Sequence, residues 1–372
     1  MQKLNPEWDV VVIGAGPAGS TASYLMKKKG FSVLLIDRSE FPRTKVCGSC
    51  INLRALKLLE SIGLKQVIDQ HHPPSINKFH FGMNQQQFEF PLPGGRALSR
   101  ERFDYSLIEE AQKIGVVFSS KTLGSVGEFK DSYRNVLISR NGTEEAVKAK
   151  IILVADGLAG NALEKKEGLA KVDSHSRMGI STILVDAPNF YQPETIYMAY
   201  SPFGYVGLVR LEDGRLDIAA AIDPEHLKQG ISKAVRTILQ LAGFQDILNL
   251  DDYAWKGTPL LTQAREHAAG ERFFVLGDAA GYTEPFTGEG ISWALESAIR
   301  VIPFAERGIH SWNLELMNEW NLHHQKFKLK KQQLSKWVMK SLRNSHVTHV
   351  FAQTARYFPF LAKPLIKQVC LS

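Results

Sequence analysis

Residues 9–37 restrict the folds open to this chain more than any other stretch. Asp9 is followed by Val10-Val11-Val12-Ile13, a β-branched run without polar alternation, as a strand buried on both faces requires. Then comes Gly14-Ala15-Gly16-Pro17-Ala18-Gly19, a G-x-G-x-x-G turn that opens a helix-like segment. Gly14 permits the tight turn, Gly16 lets the backbone approach a pyrophosphate, and Gly19 lets helix pack on strand. The helix start presents free N–H groups and a positive dipole end to the phosphates. Val33-Leu34-Leu35-Ile36 predicts the next buried strand. It ends at Asp37, about 20 residues on, where a carboxylate can bind a ribose 2′-hydroxyl. An acid at this position suits FAD or NAD better than NADP.

The chain has 372 residues, 44% of them hydrophobic and 22% charged, enough for two domains plus an extension. No stretch approaches the ~18 consecutive apolar residues of a membrane span. The only early apolar run is the first strand, so no signal peptide is expected. Cys47, Cys50 and Cys370 form no disulfide framework, which points to the cytoplasm. The net charge of +7 is uneven: ten Lys and Arg, and no Asp or Glu, follow Glu319. This basic tail suits a solvated helical face, or peripheral contact with the inner face of a membrane or with an acidic partner. No nucleic-acid recognition module accompanies it.

Periodicity predicts helices over 51–62, 100–114, 226–241 and 290–302. A long basic helix is expected over 312–342 and another over 347–357. Residues 78–90 alternate as a hairpin, and 116–149 read as strands with an Asn141-Gly142 turn. Residues 151–155 predict a further buried strand. Residues 178–185, 195–200, 205–210 and 216–222 predict strands in hairpin succession, and 273–276 a short strand before Gly277-Asp278. The expected fold class is α/β, a Rossmann-type FAD domain with an inserted, mostly antiparallel substrate sheet and a helical C-terminus. Its domains are 1–74, 99–172 and 257–308 for the dinucleotide, 75–98 and 173–256 for substrate, and 309–372 as the extension.

Four separated stretches resemble one family, the para-hydroxybenzoate-hydroxylase-fold flavoproteins, and within it the geranylgeranyl-reductase-like branch. They are the glycine turn with Asp37; Arg43-Thr44-Lys45-Val46-Cys47-Gly48; Arg100-Glu101-Arg102-Phe103-Asp104-Tyr105-Ser106-Leu107; and Gly277-Asp278-Ala279-Ala280-Gly281 followed by Pro285-Phe286-Thr287-Gly288-Glu289-Gly290-Ile291. The resemblance covers roughly residues 8–305. It implies FAD as cofactor, with Arg38, Arg43, Lys45, Cys47 and Gly48 near it and Arg100 approaching it, Arg102 being the competitor. Asp278 would accept hydrogen bonds from ribityl hydroxyls. Gly288, Glu289, Gly290 and Ile291 would bring helix N–H groups to the flavin, where they stabilise negative charge on the reduced ring. Asp156-Gly157 sits where hydroxylases of this fold carry such a pair. Its continuation differs here, so Asp156 either touches a dinucleotide or caps local structure.

Candidate catalytic groups are Cys47, Tyr282, Glu284 and Tyr205. Tyr282 and Glu284 lie between Asp278 and Gly288 and could relay a proton. Cys47-Gly48-Ser49-Cys50 allows a redox dithiol, although the family loop supplies only the first cysteine. Phe79, Phe81, Phe88, Phe90, Tyr197, Tyr200, Phe203 and Tyr205 could wall an apolar pocket. No metal site is expected: two cysteines cannot close a zinc tetrahedron, and His71-His72 adds no useful spacing. There is no second G-x-G-x-x-G unit, so NAD(P)H would bind only transiently, or a donor protein would supply electrons. The expected function is FAD-dependent hydride transfer to a C=C bond of a prenyl, polyketide or aromatic substrate. The alternatives are a monooxygenase acting through a C4a-hydroperoxide, a dehydrogenase using NAD alone, and a low-turnover flavin-binding membrane or partner module.

Overall fold

The structure, a computed structural model, describes residues 4–163, 170–284, 286 and 288–327. Two large sheets organise it. In the first, Glu7–Ile13 lies between Val33–Ile36 and the end of Thr143–Val154, parallel to both. Val117–Ser119 extends one side and Phe273–Val275 the other, again in parallel. Val10, Val11 and Val12 are fully buried because both faces of this sheet are covered, which is why the run shows no alternation. The helix Pro17–Lys28 packs against Gly290–His310 and Arg100–Lys113.

The second sheet runs in the order Lys256–Leu260, Met178–Leu184, Leu216–Ile222, Gly204–Arg210, Thr195–Ser201, Lys78–Met83 and Gln86–Pro91. All its pairings are antiparallel except that of Thr195–Ser201 with Lys78–Met83. The expected α/β class, with an inserted and mostly antiparallel sheet, is what the chain adopts. The helix Ile231–Leu241 contacts this sheet and buries Val235, Ile238 and Leu239.

Several expected elements differ. The four hairpin strands are not consecutive neighbours: Met178–Leu184 pairs with Leu216–Ile222, skipping two strands. Local patterning sees alternation but not partners. Residues 50–52 form a strand against Gly95–Ala97, so the next helix is only Leu53–Ser61, capped by Asn52, whose side-chain oxygen accepts from the Ala55 N–H at 2.9 Å. The expected helix over 226–241 is broken at Gly230, which has φ +111°, into Pro224–Leu227 and Ile231–Leu241. Residues 143–154 are one strand, antiparallel to Tyr133–Arg140 at its start and parallel to Glu7–Ile13 at its end. The helix at Gly290 continues through Pro303 to His310.

Residues 314–327 are helical and begin after Trp312, where the Asn313 side chain accepts from the Leu316 N–H. Trp320 is buried against Phe274 and donates to the Ala268 carbonyl. The basic residues from Lys328 onward, the helix expected over 347–357, Lys165 and Lys166, Pro285 and Thr287 lie outside the described residues. Among the described residues no helix is long and apolar enough to cross a membrane.

Candidate active site

The glycine turn divides its labour. Gly14 has φ +103°, and a Cβ there would meet the Ala155 carbonyl oxygen at 2.4 Å. A Cβ on Gly19 would fall 1.8 Å from the Gly14 oxygen. Both glycines are therefore required by the protein's own packing. Gly16 is different: it has ordinary extended backbone, and its nearest neighbour would be an Arg43 nitrogen at 4.0 Å. The space before Gly16 lies inside a cavity of about 520 Å³. Such a cradle, open at the helix start, fits the pyrophosphate of a dinucleotide.

Asp37, at the end of its strand, accepts from the Ala15 N–H and the Ser39 N–H, each at 2.8 Å. It thereby braces the glycine turn, and its remaining lone pairs are available to a ribose. Arg43 reaches Asp104 at 3.3 Å and Asp37 at 4.0 Å, and stacks over Phe41. Arg100 grips Asp104 with two bonds of 2.8 Å at the start of its own helix. Burial disfavours both charges, but the pairing outweighs it: Asp104 is held below the ordinary carboxylate range and Arg100 is firmly protonated, with Asp104 and Cys47 as its causes. Arg102 instead pairs with Glu212 on the surface side.

Asp278 follows Phe273–Val275 into the turn Gly277–Ala280 and faces the cavity. Gly277, at φ +57°, sits against the start of the first helix, where its Cβ would meet Ala18 at 3.0 Å. This contact brings two motifs over 250 residues apart to one place. Burial raises the Asp278 pKa, against the pull of Lys45 and Arg100. Burial, then Arg100, lowers that of Lys45, which makes no ion pair among the described residues. Gly288, Gly290 and Ile291 line the same cavity, Gly288 at φ +69° with open space before it.

The cavity's opposite wall is the second sheet and its hairpin, with Phe79, Phe81, Phe90, Met198, Tyr205 and Ala221. Pro17, Ala18, Cys47, Gly48 and Tyr282 also face it. Gly14, Gly19, Asp37, Arg38, Arg43, Asp156, Glu284 and Glu289 do not. Asp156 accepts from the Ala162 N–H at 2.8 Å and leaves no room for a side chain at Gly160, so it shapes its own loop. Arg38 lies close enough to influence it. Tyr197 packs in the other core with Phe190 and Phe244, and Phe203 stacks on His226. Cys50 sits in the short strand and donates its thiol to the Gly48 carbonyl at 3.0 Å. Burial, then Cys47, pushes that thiol well up, so it stays protonated and is a poor partner for disulfide exchange.

Three groups escaped sequence reasoning. Arg177 is fully buried and bonds Glu284, 107 residues away. Asp217 is buried in a strand, and burial raises its pKa to about 7, with Ser49, Arg100 and Arg215 pulling it down. Gly207 and Ala219 thin the second sheet where it faces the cavity. The only available signal was a charge inside an apolar strand, at Asp217. Among the described residues no cluster could hold a metal.

A family model described as "FAD binding domain" matches residues 7–302. Conditioned medium factor receptor 1 of Dictyostelium discoideum is 26% identical over 86% of this chain, which spans 66% of that longer protein. Digeranylgeranylglycerophospholipid reductase of Methanocaldococcus jannaschii is 26% identical over 86% of this chain and 83% of its own. The fold is shared with p-nitrophenol 4-monooxygenase from Pseudomonas putida, at a TM-score of 0.79 and 14% identity, covering 99% of both chains. The open cradle at Gly16, the half-buried Asp278 beside it and the second glycine turn at Gly288 are accounted for together: the chain belongs to the FAD-binding-domain family and is an FAD-dependent oxidoreductase.

Proposed function

We propose that this oxidoreductase reduces a C=C bond of an apolar, prenyl-like or aromatic small molecule held in the cavity between the two sheets. The observation that carries this reading is the cavity itself. It runs from Gly16 and Asp278 to Phe79, Phe81 and Phe90, and few of its lining groups are polar. Bound FAD supplies two-electron chemistry as hydride delivered from its ring. Gly16 and the first helix would hold its pyrophosphate, Asp37 its adenosine ribose and Asp278 its ribityl chain. Gly288, Gly290 and Ile291 would place helix N–H groups where the ring gathers negative charge. The aromatic wall would orient the substrate and exclude water. Tyr282 stands at the cavity with its phenol kept protonated, burial being the main cause and Asp278 the next, so it can hold the proton that the second carbon needs. The similarity to a Methanocaldococcus jannaschii protein named as a reductase supports this direction.

The test is an anaerobic half-reaction. The flavin is reduced chemically and mixed with candidate alkenes of prenyl or aromatic type. The reading expects flavin reoxidation without oxygen and a saturated product. Reoxidation that needs oxygen and yields an oxygenated product would replace it with the monooxygenase reading, which the shared fold with p-nitrophenol 4-monooxygenase favours. A colourless purified protein that cannot be loaded with FAD would remove both. The electron donor is proposed to be NAD(P)H bound transiently, or a donor protein.

A further inference from the structure

The pairing register fixes which residues share the cavity face of the second sheet. Phe81 pairs with Met198, Met198 with Gly207, and Gly207 with Ala219. Paired residues point to the same side. This row therefore crosses the sheet from a ring to a thioether, then to no side chain at all, then to a methyl. All of these residues line the cavity of about 520 Å³. Gly207 lies on a central strand, yet it is only half-buried, because its backbone is open to the cavity.

Glycine weakens a strand, and within one it answers to a bulge, a barrel corner or the close approach of another group. Other glycines of this sheet answer to the protein. A Cβ on Gly82 would fall 2.6 Å from the Phe244 ring, one on Gly204 2.7 Å from the Ala221 carbonyl oxygen, and one on Gly179 3.0 Å from Thr258 Oγ1. Gly207 differs. It is paired on both sides without a register shift, and the sheet is open, with Lys256–Leu260 and Gln86–Pro91 at its edges. Its φ lies outside the left-handed region. A Cβ there would meet Met198 Cε at 3.5 Å and the Ala219 oxygen at 3.6 Å, ordinary contacts with the strands on either side. The fold thus has room for a side chain at 207, and that side chain would stand in the cavity.

We infer that Gly207 is a specificity-determining residue: the substrate lies directly on its bare backbone, and the missing side chain admits a group wider than a straight alkyl chain, a ring or a methyl-branched segment. This rests on the reading of the cavity as the substrate site beside FAD. In a cavity of this volume a straight chain can bend past one added methyl, whereas a rigid ring or a branch point pressed against the strand cannot.

The experiment titrates the FAD-loaded protein with 1-naphthol, 3,7-dimethyloctan-1-ol and 1-octanol, three alcohols of different width, and measures binding by calorimetry. Gly207→Ala is expected to weaken 1-naphthol, the branched alcohol or both about tenfold, and 1-octanol by less than about twofold. A loss confined to 1-naphthol assigns a ring to this place, and one confined to the branched alcohol assigns methyl branches. The variant should keep its FAD and melt no lower than wild type, since alanine fits this backbone. Gly204→Ala, pressed against the Ala221 carbonyl, should melt lower. Equal weakening of all three alcohols, no weakening, or no binding of any of them to wild type would overturn the inference. So would a Gly207→Ala protein that loses FAD or melts well below wild type, because the glycine would then serve the flavin or the fold. Binding that follows the expected pattern, while no alkene reoxidises the reduced flavin, would refute C=C reduction and leave the role of Gly207 standing.

Discussion

Single residues at this site separate into those that the fold needs and those that the ligand needs. Gly14 and Gly16 share a motif, but only Gly14 is pressed against the protein's own backbone. Gly14→Ala should lower stability as well as flavin content, since its Cβ has nowhere to go and its φ is positive. Gly16→Val should fold with a melting temperature close to that of the flavin-free wild type, yet hold FAD about tenfold or more weakly, as flavin absorbance after gel filtration would report. A Gly16→Val protein that stays fully yellow would count against the cradle. Asp217 makes a different prediction. Its folded pKa, about 7, lies above that of an unfolded Asp, so between these values the unfolded chain has released the proton that the native state keeps. Stability therefore falls as pH rises from about 4 to 7, and is not lost further above that window. Asp217→Asn should remove this dependence: its advantage in thermal melting over wild type should grow from pH 5 to pH 7.5. A constant difference would mean that Asp217 is ionised throughout.

At the scale of elements, the helix Arg100–Lys113 shows how one turn aims a functional side chain. Ser99 caps it, and the Ser99 backbone N–H and hydroxyl both donate to the buried Glu212 carboxylate, at 2.9 and 2.7 Å. Glu212 belongs to the turn after Gly204–Arg210, so the second sheet sets the angle at which Arg100 enters the cavity. Glu212→Ala leaves a buried donor without its acceptor and should cost about 1–3 kcal/mol in denaturant unfolding, together with weakened FAD retention. Loss of stability with FAD affinity intact would show that Arg100 is positioned by Asp104 alone. The elements also show what sequence patterning could reach. The run at Val10–Ile13 and the helix carrying Phe103 and Leu107 were legible because their burial repeats at a local period. The strand at Cys50–Asn52 was not, because its three residues acquire strand geometry only by pairing with Gly95–Ala97, over 40 residues away.

For the whole molecule, the site is a seam. The first sheet supplies the glycine turn, Asp37 and Asp278, and the second supplies the aromatic wall. Arg177 bridges across it, bonding Glu284, which precedes the Gly288 turn, and Pro202 of the hairpin. A ligand that fills this seam should stabilise both sheets together. FAD held at about 100 times its dissociation constant contributes roughly 2.7 kcal/mol, so removing it should lower the melting temperature by about 3 °C, in a single transition. Two separate transitions in the flavin-free protein would show that the sheets unfold independently.

By itself the sequence determined that a buried parallel strand runs from about Asp9 to Ile13, that a glycine turn of phosphate-cradle type follows, and that the chain is an FAD-binding protein. These are readable because each rests on a short run whose residue types are dictated by local backbone geometry. Only the tertiary structure decided that Asp156 and Glu284 stand off the cavity, that Tyr205 and Tyr282 face it, and that Arg177 lies behind Tyr205. Those facts depend on which distant strands pair and which side chains meet across the seam. No local period encodes the direction of a hydrogen bond between residues a hundred positions apart.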